Sequence, residues 1–248
     1  MTAADSAPKY YKVSVVVPMH NEAGAVARLL AEIDAALAAR GPFEIVVVDD
    51  GSRDRTPDEL LAAQKQHSHL RIVRHETNCG QSQALISGVV AAQSPWIVTL
   101  DGDGQNDPAD IAKLFSARDA ALSPANTLFI GHRTARGEDG KALASKLANA
   151  VRAFVLGDAT PDSGCGLKLF HRDVFLALPR FDALHRFMPA LVIRAGGQVV
   201  SVPVSQRPRS YGRSHYGIIG RGLLGLVDLL GVWWLMRRST RPKIIPPG

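Results

Sequence analysis

The sequence predicts an α/β fold: a mostly parallel sheet with helices on both faces. Two observations predict it. From Lys12 to Ile130, short β-branched runs alternate with segments whose apolar residues recur at helical spacing, the mark of successive βαβ units. Three of the four strand ends that follow from this alternation carry acids, at the edge where open α/β sheets bind ligands. A chain of 248 residues is long enough for one such domain with a sizeable core, or a domain plus an appendage.

The elements follow in order. Lys12-Val-Ser-Val-Val-Val-Pro18 reads as a buried strand. Ala23 to Arg40 carries Val26, Leu29, Leu30, Ile33 and Leu37 on one helical face, and Gly41-Pro42 stops it. Phe43-Glu-Ile-Val-Val-Val48 is the next strand, Thr56 to Gln66 a helix, Leu70-Arg-Ile-Val-Arg-His75 a strand and Gln81 to Gln93 a helix. Pro95-Trp-Ile-Val-Thr-Leu100 contains the fourth strand, and Pro108 to Ala120 is a helix with proline at its start. Thr127-Leu-Phe-Ile130 closes the alternation; beyond Gly131 the pattern turns helix-rich, then basic and amphipathic. The strand ends are Pro18-Met-His-Asn-Glu22, Asp49-Asp-Gly-Ser52, Asn78-Cys-Gly80 and Asp101-Gly-Asp103.

Composition narrows the class. The chain is 46% hydrophobic and 21% charged, ordinary for a globular protein, and its mean hydropathy of +0.01 argues against a polytopic membrane protein. Cys79 and Cys165 form no metal-type spacing and no disulfide framework, so a reduced, cytosolic setting is expected. Met1 to Lys12 shows no apolar signal-peptide core. The net charge of +6 is unevenly spread: from Arg186 onward ten basic residues face one acid, Asp228, for +9, while the rest holds 19 basic against 22 acidic residues, for −3. That asymmetry points to an anionic partner for the C-terminal part, either phosphate, nucleic acid or an acidic membrane face. Nucleic acid is disfavoured because no interleaved aromatic stacking platform is visible.

The strand ends exclude two nucleotide folds. A nicotinamide-binding Rossmann domain needs a glycine-rich turn after its first strand; here that turn is Pro-Met-His-Asn-Glu. A P-loop is also absent. Acidic strand ends suit a nucleotide when a divalent ion mediates, since Mg²⁺ and Mn²⁺ take hard oxygen ligands from one or two carboxylates plus phosphate. Asp101 and Asp103 flank Gly102. In extended chain both carboxylates project to one side, and the glycine lets other atoms approach the backbone. The pair is thus a candidate to hold an ion that neutralises a diphosphate leaving group.

Taken together, Pro18-x-x-Asn-Glu22, Asp49-Asp-Gly-Ser52, Asn78-x-Gly80 and Asp101-Gly-Asp-Gly-Gln-Asn-Asp-Pro108 resemble, in order, the markers of inverting family 2 glycosyltransferases of the Rossmann-like GT-A fold. Asp162-Ser-Gly-Cys-Gly-Leu-Lys168, His185-Arg-Phe-Met-Pro-Ala-Leu191 and Arg207-Pro-Arg-Ser-Tyr-Gly-Arg-Ser-His215 resemble the polyprenyl-phosphate branch, the dolichol- and undecaprenyl-phosphate transferases. The resemblance implies a nucleotide diphosphate sugar donor, a polyprenyl phosphate acceptor and a Mg²⁺ or Mn²⁺ cofactor. It implies that Pro18, Glu22 and Asp50 line the nucleoside pocket, with His20, Val48 and Gly102 beside them. It implies that Asp101 and Asp103 serve the diphosphate and metal with Gln105 as a further ligand, and that Arg133 contacts donor phosphates or acceptor. Lys141, Ser145 and Arg209 become candidates for the lipid phosphate, and Arg207 also suits a phosphate contact. The match departs at Met19 and His20, where an aromatic and small pair is commoner, at Gln206, where histidine is frequent, and at His215, where lysine is usual.

The implied organisation is a disordered N-terminus over 1–11, a catalytic GT-A domain over 12–210, an acceptor loop and interface helix over 211–238 and a basic flexible tail over 239–248. The stretch Ile218 to Met236 is the most apolar, but Arg221 and Asp228 count against a spanning helix. An amphipathic helix in the interface of an anionic membrane, at its cytosolic face, fits better, with Trp233 and Trp234 at headgroup level. A domain-packing helix and a self-association surface remain open. So do a saccharide or protein hydroxyl as acceptor, and a non-catalytic nucleotide-sugar-binding adaptor. Cys165 reads as a small packed residue, and His67, His69 and His75 show no metal-ligand spacing. His185 either approaches the acceptor or caps a helix.

Overall fold

The computed structural model describes residues 11–134, 149–208 and 218–238. The first half follows the expected alternation: β1 (Val13–Met19), α1 (Val26–Leu37), β2 (Phe43–Asp50), α2 (Thr56–Gln64), β3 (Leu70–His75), α3 (Gln81–Ala91), β4 (Trp96–Thr99), α4 (Ile111–Asp119) and β5 (Thr127–Arg133). A 3-10 turn at Pro108–Asp110 precedes α4, where Asp107 accepts the Ala109 amide. The second half adds α5 (149–156), β6 (Lys168–His171), α6 (Arg172–Leu176), α7 (Leu184–Arg194), β7 (Gln198–Val204) and α8 (Ile218–Met236).

The seven strands form one sheet in the order β3-β2-β1-β4-β6-β5-β7. All described pairings are parallel except those of β6, which runs against both β4 and β5. The sequence pattern signalled neither β6 nor β7. The first is four residues long and begins with a lysine; the second is an edge strand that contains Pro203, as edge strands allow. Because β6 is reversed, its leading segment, residues 162–167, arrives at the same sheet edge as the carboxyl ends of β1, β2, β4 and β5. That edge holds the site.

Alternation along each strand divides the core in two. Val13, Val15 and Val17 of β1 pack with Leu29, Leu30 and Ile33 of α1, Leu60 of α2 and Leu114 of α4. Val16 and Val46 face the other side, with Leu85 and Val89 of α3, Phe175 of α6, Leu191 of α7 and Val232 of α8. Gly88 of α3 is a close helix–sheet approach: a Cβ there would lie 2.4 Å from Val16 Cγ1 and 3.0 Å from Val48 Cγ2. Val48 is therefore core, fully buried beneath α3.

Candidate active site

The floor of the site begins at the ends of β1 and β2. Asp50 is buried, and its carboxylate accepts the Cys79 amide (2.8 Å), the Gly80 amide (2.8 Å) and His75 Nδ1 (2.7 Å). A carboxylate can only accept here, so Nδ1 of His75 carries a proton, and Nε2 lies 2.9 Å from the Ser87 hydroxyl. Gly51, at φ +66°, leaves no room for a side chain: a Cβ there would lie 2.5 Å from the Thr77 carbonyl carbon. The Asn78-x-Gly80 motif is thus a loop tied down by Asp50. Asp50 shapes the pocket wall through that loop, and His75, which has no motif in the sequence, orients Asp50.

His20 reaches the same corner. Its Nδ1 lies 2.7 Å from the Asp50 carbonyl oxygen, which makes Nδ1 the donor, and Asn21 Nδ2 lies 3.0 Å from Nε2. Asn21, at φ 55°, locks the turn further: its amide donates to Ser52 Oγ and its side-chain oxygen accepts the Arg53 amide. The Glu22 amide donates to Thr56 Oγ1. Pro18 and Glu22 are half-buried at this mouth.

The acidic loop after β4 is seated against two close approaches. A Cβ on Gly102 would lie 2.6 Å from Met19 Cγ and 2.7 Å from the Pro18 carbonyl, so Gly102 lets the loop press against the end of β1. A Cβ on Gly166 would lie 2.3–2.4 Å from all three carboxyl atoms of Asp101. Gln81 Nε2 donates to Asp101 Oδ1 at 2.7 Å. Asp103 is buried, and its Oδ1 accepts the Gln105 amide at 3.0 Å. The Gln105 carbonyl accepts the Arg207 amide at 3.0 Å. The Arg207 guanidinium is taken up by Glu32 (2.6 Å) and Asp107 (2.8 Å). It pins the chain after β7 to the acidic loop. Asp110 does the same through Ser205, whose amide and hydroxyl it accepts at 2.6 and 2.5 Å.

The segment 162–168 forms the far wall. Arg133, at the end of β5, donates from Nε (2.6 Å) and Nη2 (2.8 Å) to the two oxygens of buried Asp162, a bidentate fork. Burial works against the Arg133 charge, but Asp162, with Cys165 and Asp101, holds its pKa above the ordinary range. Arg133 is therefore fixed as a cation near Asp101, with two of its donor atoms spent on Asp162. Arg152 of α5 is ion-paired with buried Asp158 and donates to the Thr160 carbonyl. Lys168 is buried and donates to the Cys165 carbonyl. Burial pushes its pKa down, against the pull of Cys165, Asp101 and Asp162. Cys165 is fully buried, and burial raises its thiol pKa, so it is packed and unreactive, as its sequence context suggested. The Arg152–Asp158 pair carried no sequence signal.

His185, near the start of α7, is held by Ser82 of α3: Ser82 Oγ lies 2.8 Å from Nδ1 and accepts the His185 amide at 3.2 Å. Burial, then the charges of Lys168 and Arg186, lowers its pKa from 6.5 to about 3. It is a neutral packing residue beneath the site. Lys141, Ser145, Arg209, Arg213 and His215 lie outside the described residues.

The arrangement defines a class first: a GT-A sheet whose carboxyl edge gathers carboxylates, with a fixed arginine beside them. Residues 14–178 match the model of glycosyl transferase family 2. The chain is 33% identical over 241 residues to a dodecaprenyl-phosphate galacturonate synthase of Rhizobium johnstonii, covering 93% of this chain and 69% of that protein. It is 32% identical over 214 residues to an undecaprenyl-phosphate 4-deoxy-4-formamido-L-arabinose transferase of Klebsiella pneumoniae, covering 86% and 64%. The chain thus spans about two thirds of the length of these curated relatives. A mannosyltransferase of Pyrobaculum calidifontis, solved with GDP-Man and Mn²⁺, shares the fold at a TM-score of 0.68 and 22% identity, over 95% of this chain and 67% of that one. The chain belongs to glycosyl transferase family 2.

Two outcomes follow from this geometry. Gly166→Ala should displace Asp101 and lower kcat/KM for sugar transfer by about 100-fold, the scale of an ångström-sized misplacement, while circular dichroism shows a folded protein. His185 binds its proton in the unfolded chain near pH 6.5 and in the folded one only near 3. Between those values the unfolded state holds more protons, so stability falls as pH falls. Urea titrations from pH 7 to 5 should show the wild type losing up to about 1.4 kcal/mol per pH unit relative to His185→Gln.

Proposed function

We propose that this protein transfers a sugar, with inversion, from a nucleotide diphosphate sugar to a polyprenyl phosphate at the cytosolic face of a membrane. The observation that carries the reading is the Asp101-Gly-Asp103 loop, seated against Gly166 at the carboxyl edge with Arg133 fixed nearby. The names of the two curated relatives, a dodecaprenyl-phosphate galacturonate synthase and an undecaprenyl-phosphate 4-deoxy-4-formamido-L-arabinose transferase, support the acceptor class.

The donor set fits a hard divalent ion, Mg²⁺ or Mn²⁺: two carboxylates two residues apart, one of them buried, with an amide side chain at Gln105. Asp101, Asp103 and Gln105 would hold it. Bound there, such an ion neutralises the departing diphosphate. The remaining work belongs to the chain. A lipid monophosphate is already ionised near neutral pH, so no residue has to remove a proton from it. The protein orients two anionic groups in line and excludes water. Arg133 supplies fixed positive charge near Asp101. The wall of His20, Asn21 and the Asp50-held loop confines the nucleoside. Lys141, Ser145 and Arg209 are retained as candidates for the acceptor phosphate.

Membrane contact is supported by α8. No described helix is long and apolar enough to cross a membrane. Leu229, Val232, Leu235 and Met236 pack onto the domain, whereas Leu226, Val227, Leu230, Trp233 and Trp234 form an exposed stripe. Arg237 and Arg238 lie over Trp233 (3.9 Å) and Trp234 (5.5 Å), pairing aromatic anchors with cations that suit anionic headgroups.

Radiolabelled donor incubated with undecaprenyl phosphate should yield product that partitions into organic solvent, and Asp103→Ala should abolish it. Label that stays aqueous with a saccharide acceptor would refute the lipid assignment. For the surface, Trp233→Ser combined with Trp234→Ser should abolish co-sedimentation with anionic vesicles without altering the melting temperature.

A further inference from the structure

We propose that Asp34, His67 and His69 form a binding site for a divalent transition-metal ion of the zinc class, separate from the active site. His67 Nδ1 lies 3.0 Å from Asp34 Oδ2, and His69 Nε2 lies 2.8 Å from Asp34 Oδ1. One ligand atom from each residue lies within 4.8 Å of the other two. In a tetrahedral zinc site with bonds of about 2.0–2.1 Å, ligand atoms are about 3.3 Å apart. Each imidazole now faces a different oxygen of Asp34, so an ion would spread its nearer nitrogen–oxygen pair by a few tenths of an ångström and draw the other imidazole in from within 4.8 Å.

The site is held in shape from outside itself. The His67 amide donates to the Ala63 carbonyl, the Leu70 amide to the His67 carbonyl, and the Ile45 amide to the His69 carbonyl. Phe43 meets the His69 ring edge-on, with centroids 4.8 Å apart, and the two imidazoles stand at 84° to each other. Both rings are thus aimed at one carboxylate by backbone and packing. The side chains of His67, His69 and Asp34 keep 22%, 26% and 30% of their surface, enough for a solvent ligand to complete the coordination. Two imidazole nitrogens and one carboxylate oxygen suit zinc, cobalt or nickel and not magnesium, which demands oxygen.

Place in the fold separates this site from catalysis. Asp34 is near the C-terminal end of α1, and His67 and His69 lie just before β3, so the cluster is at the amino edge of the sheet. An ion there ties α1 to the start of β3 and stabilises the folded chain by mass action. Asp50, His75 and Cys79 form a second such group. Asp50 already accepts two amides and His75 there, so that group belongs to the nucleoside wall.

The full chain, in millimolar Mg²⁺ to occupy hard-oxygen sites, is titrated with Zn²⁺ and Co²⁺. Wild type, Asp34→Asn, His67→Ala, His69→Ala and Cys79→Ser are compared. The wild type and Cys79→Ser should bind one ion with equal affinity, weakened at least about tenfold in each of the other three. Zinc should raise the melting temperature of the wild type but not of His69→Ala. Co²⁺ should give a d–d spectrum without a thiolate charge-transfer band. The proposal is overturned if the wild type takes up no zinc, if uptake survives both histidine variants, or if a thiolate band shows that Cys79 holds the ion. Asp34→Asn preserves side-chain shape and keeps the test valid should a histidine variant misfold. None of these outcomes depends on sugar transfer.

Discussion

Asp101 occupies its position because residue 166 has no side chain: any Cβ there would overlap the whole carboxyl group. Much of the site is arranged to keep that contact. Thr99 Oγ1 donates to the Gly166 carbonyl at 2.6 Å, which fixes the glycine to the end of β4, the strand that leads into Asp101. Lys168 holds the preceding carbonyl from within the sheet. Arg133 grips Asp162 at the start of the same segment. On the opposite flank, Gly102 sits against Pro18 and Met19 by the same device of a missing side chain. The acidic loop is thus clamped between β1 and the approach to β6, and a reversed strand in an otherwise parallel sheet is what brings the second jaw to the carboxyl edge.

Buried charge accompanies this arrangement. Arg133 with Asp162, Arg152 with Asp158, and Lys168 near Asp101 and Asp162 all sit in low-dielectric surroundings. Such pairs add little net stability against apolar replacements, but removing one partner strands the other at a cost of about 3–5 kcal/mol. Their value is geometric. The fork of Arg133 on Asp162 allows one orientation; burial lowers the pKa of both cations, but the ion pair with Asp162 overcomes it for Arg133, whereas for Lys168, bonded to a neutral carbonyl, burial prevails over the more distant Cys165, Asp101 and Asp162. His185, held by Ser82 and near Lys168, avoids a further buried cation by staying neutral.

The first half of the fold was legible because periodicity and burial coincide there. Val26, Leu29, Leu30, Ile33 and Leu37, picked out by helical spacing, are all buried on α1. The acidic loop was legible because its residues are adjacent in sequence. What escaped depends on contacts between distant segments. His75 lies 25 residues from Asp50, and Asp162 29 residues from Arg133, separations at which no pattern marks a partner. The face taken by the Val48 side chain was not legible, because position along a strand does not say which face it takes until the register is known: paired with Pro18, it faces α3. For Arg207, read as suited to a phosphate contact, the sequence did not signal its pairing with Glu32 and Asp107, which meet it in space. β6 escaped because a buried lysine in a four-residue strand defeats apolar counting.

The helix α8 divides its apolar residues between the domain and the outside. Its inner face is already used against the domain, where Val232 is buried and Arg194 donates to the Leu235 carbonyl at 3.0 Å and the Arg238 carbonyl at 3.4 Å, satisfying carbonyls at the helix end. Burial raises the pKa of Asp228, with Arg186 opposing and Asp182 reinforcing, so the acid that would be costly in lipid lies among polar neighbours at the start of α7. The second half of the helix is thus held flat against the domain. Under the proposed function its outer stripe would enter a bilayer only to about 5–10 Å, the depth of an interfacial helix. That depth matches the place where a lipid phosphate resides, so a domain docked this way meets its acceptor at headgroup level while the long apolar tail stays in the membrane.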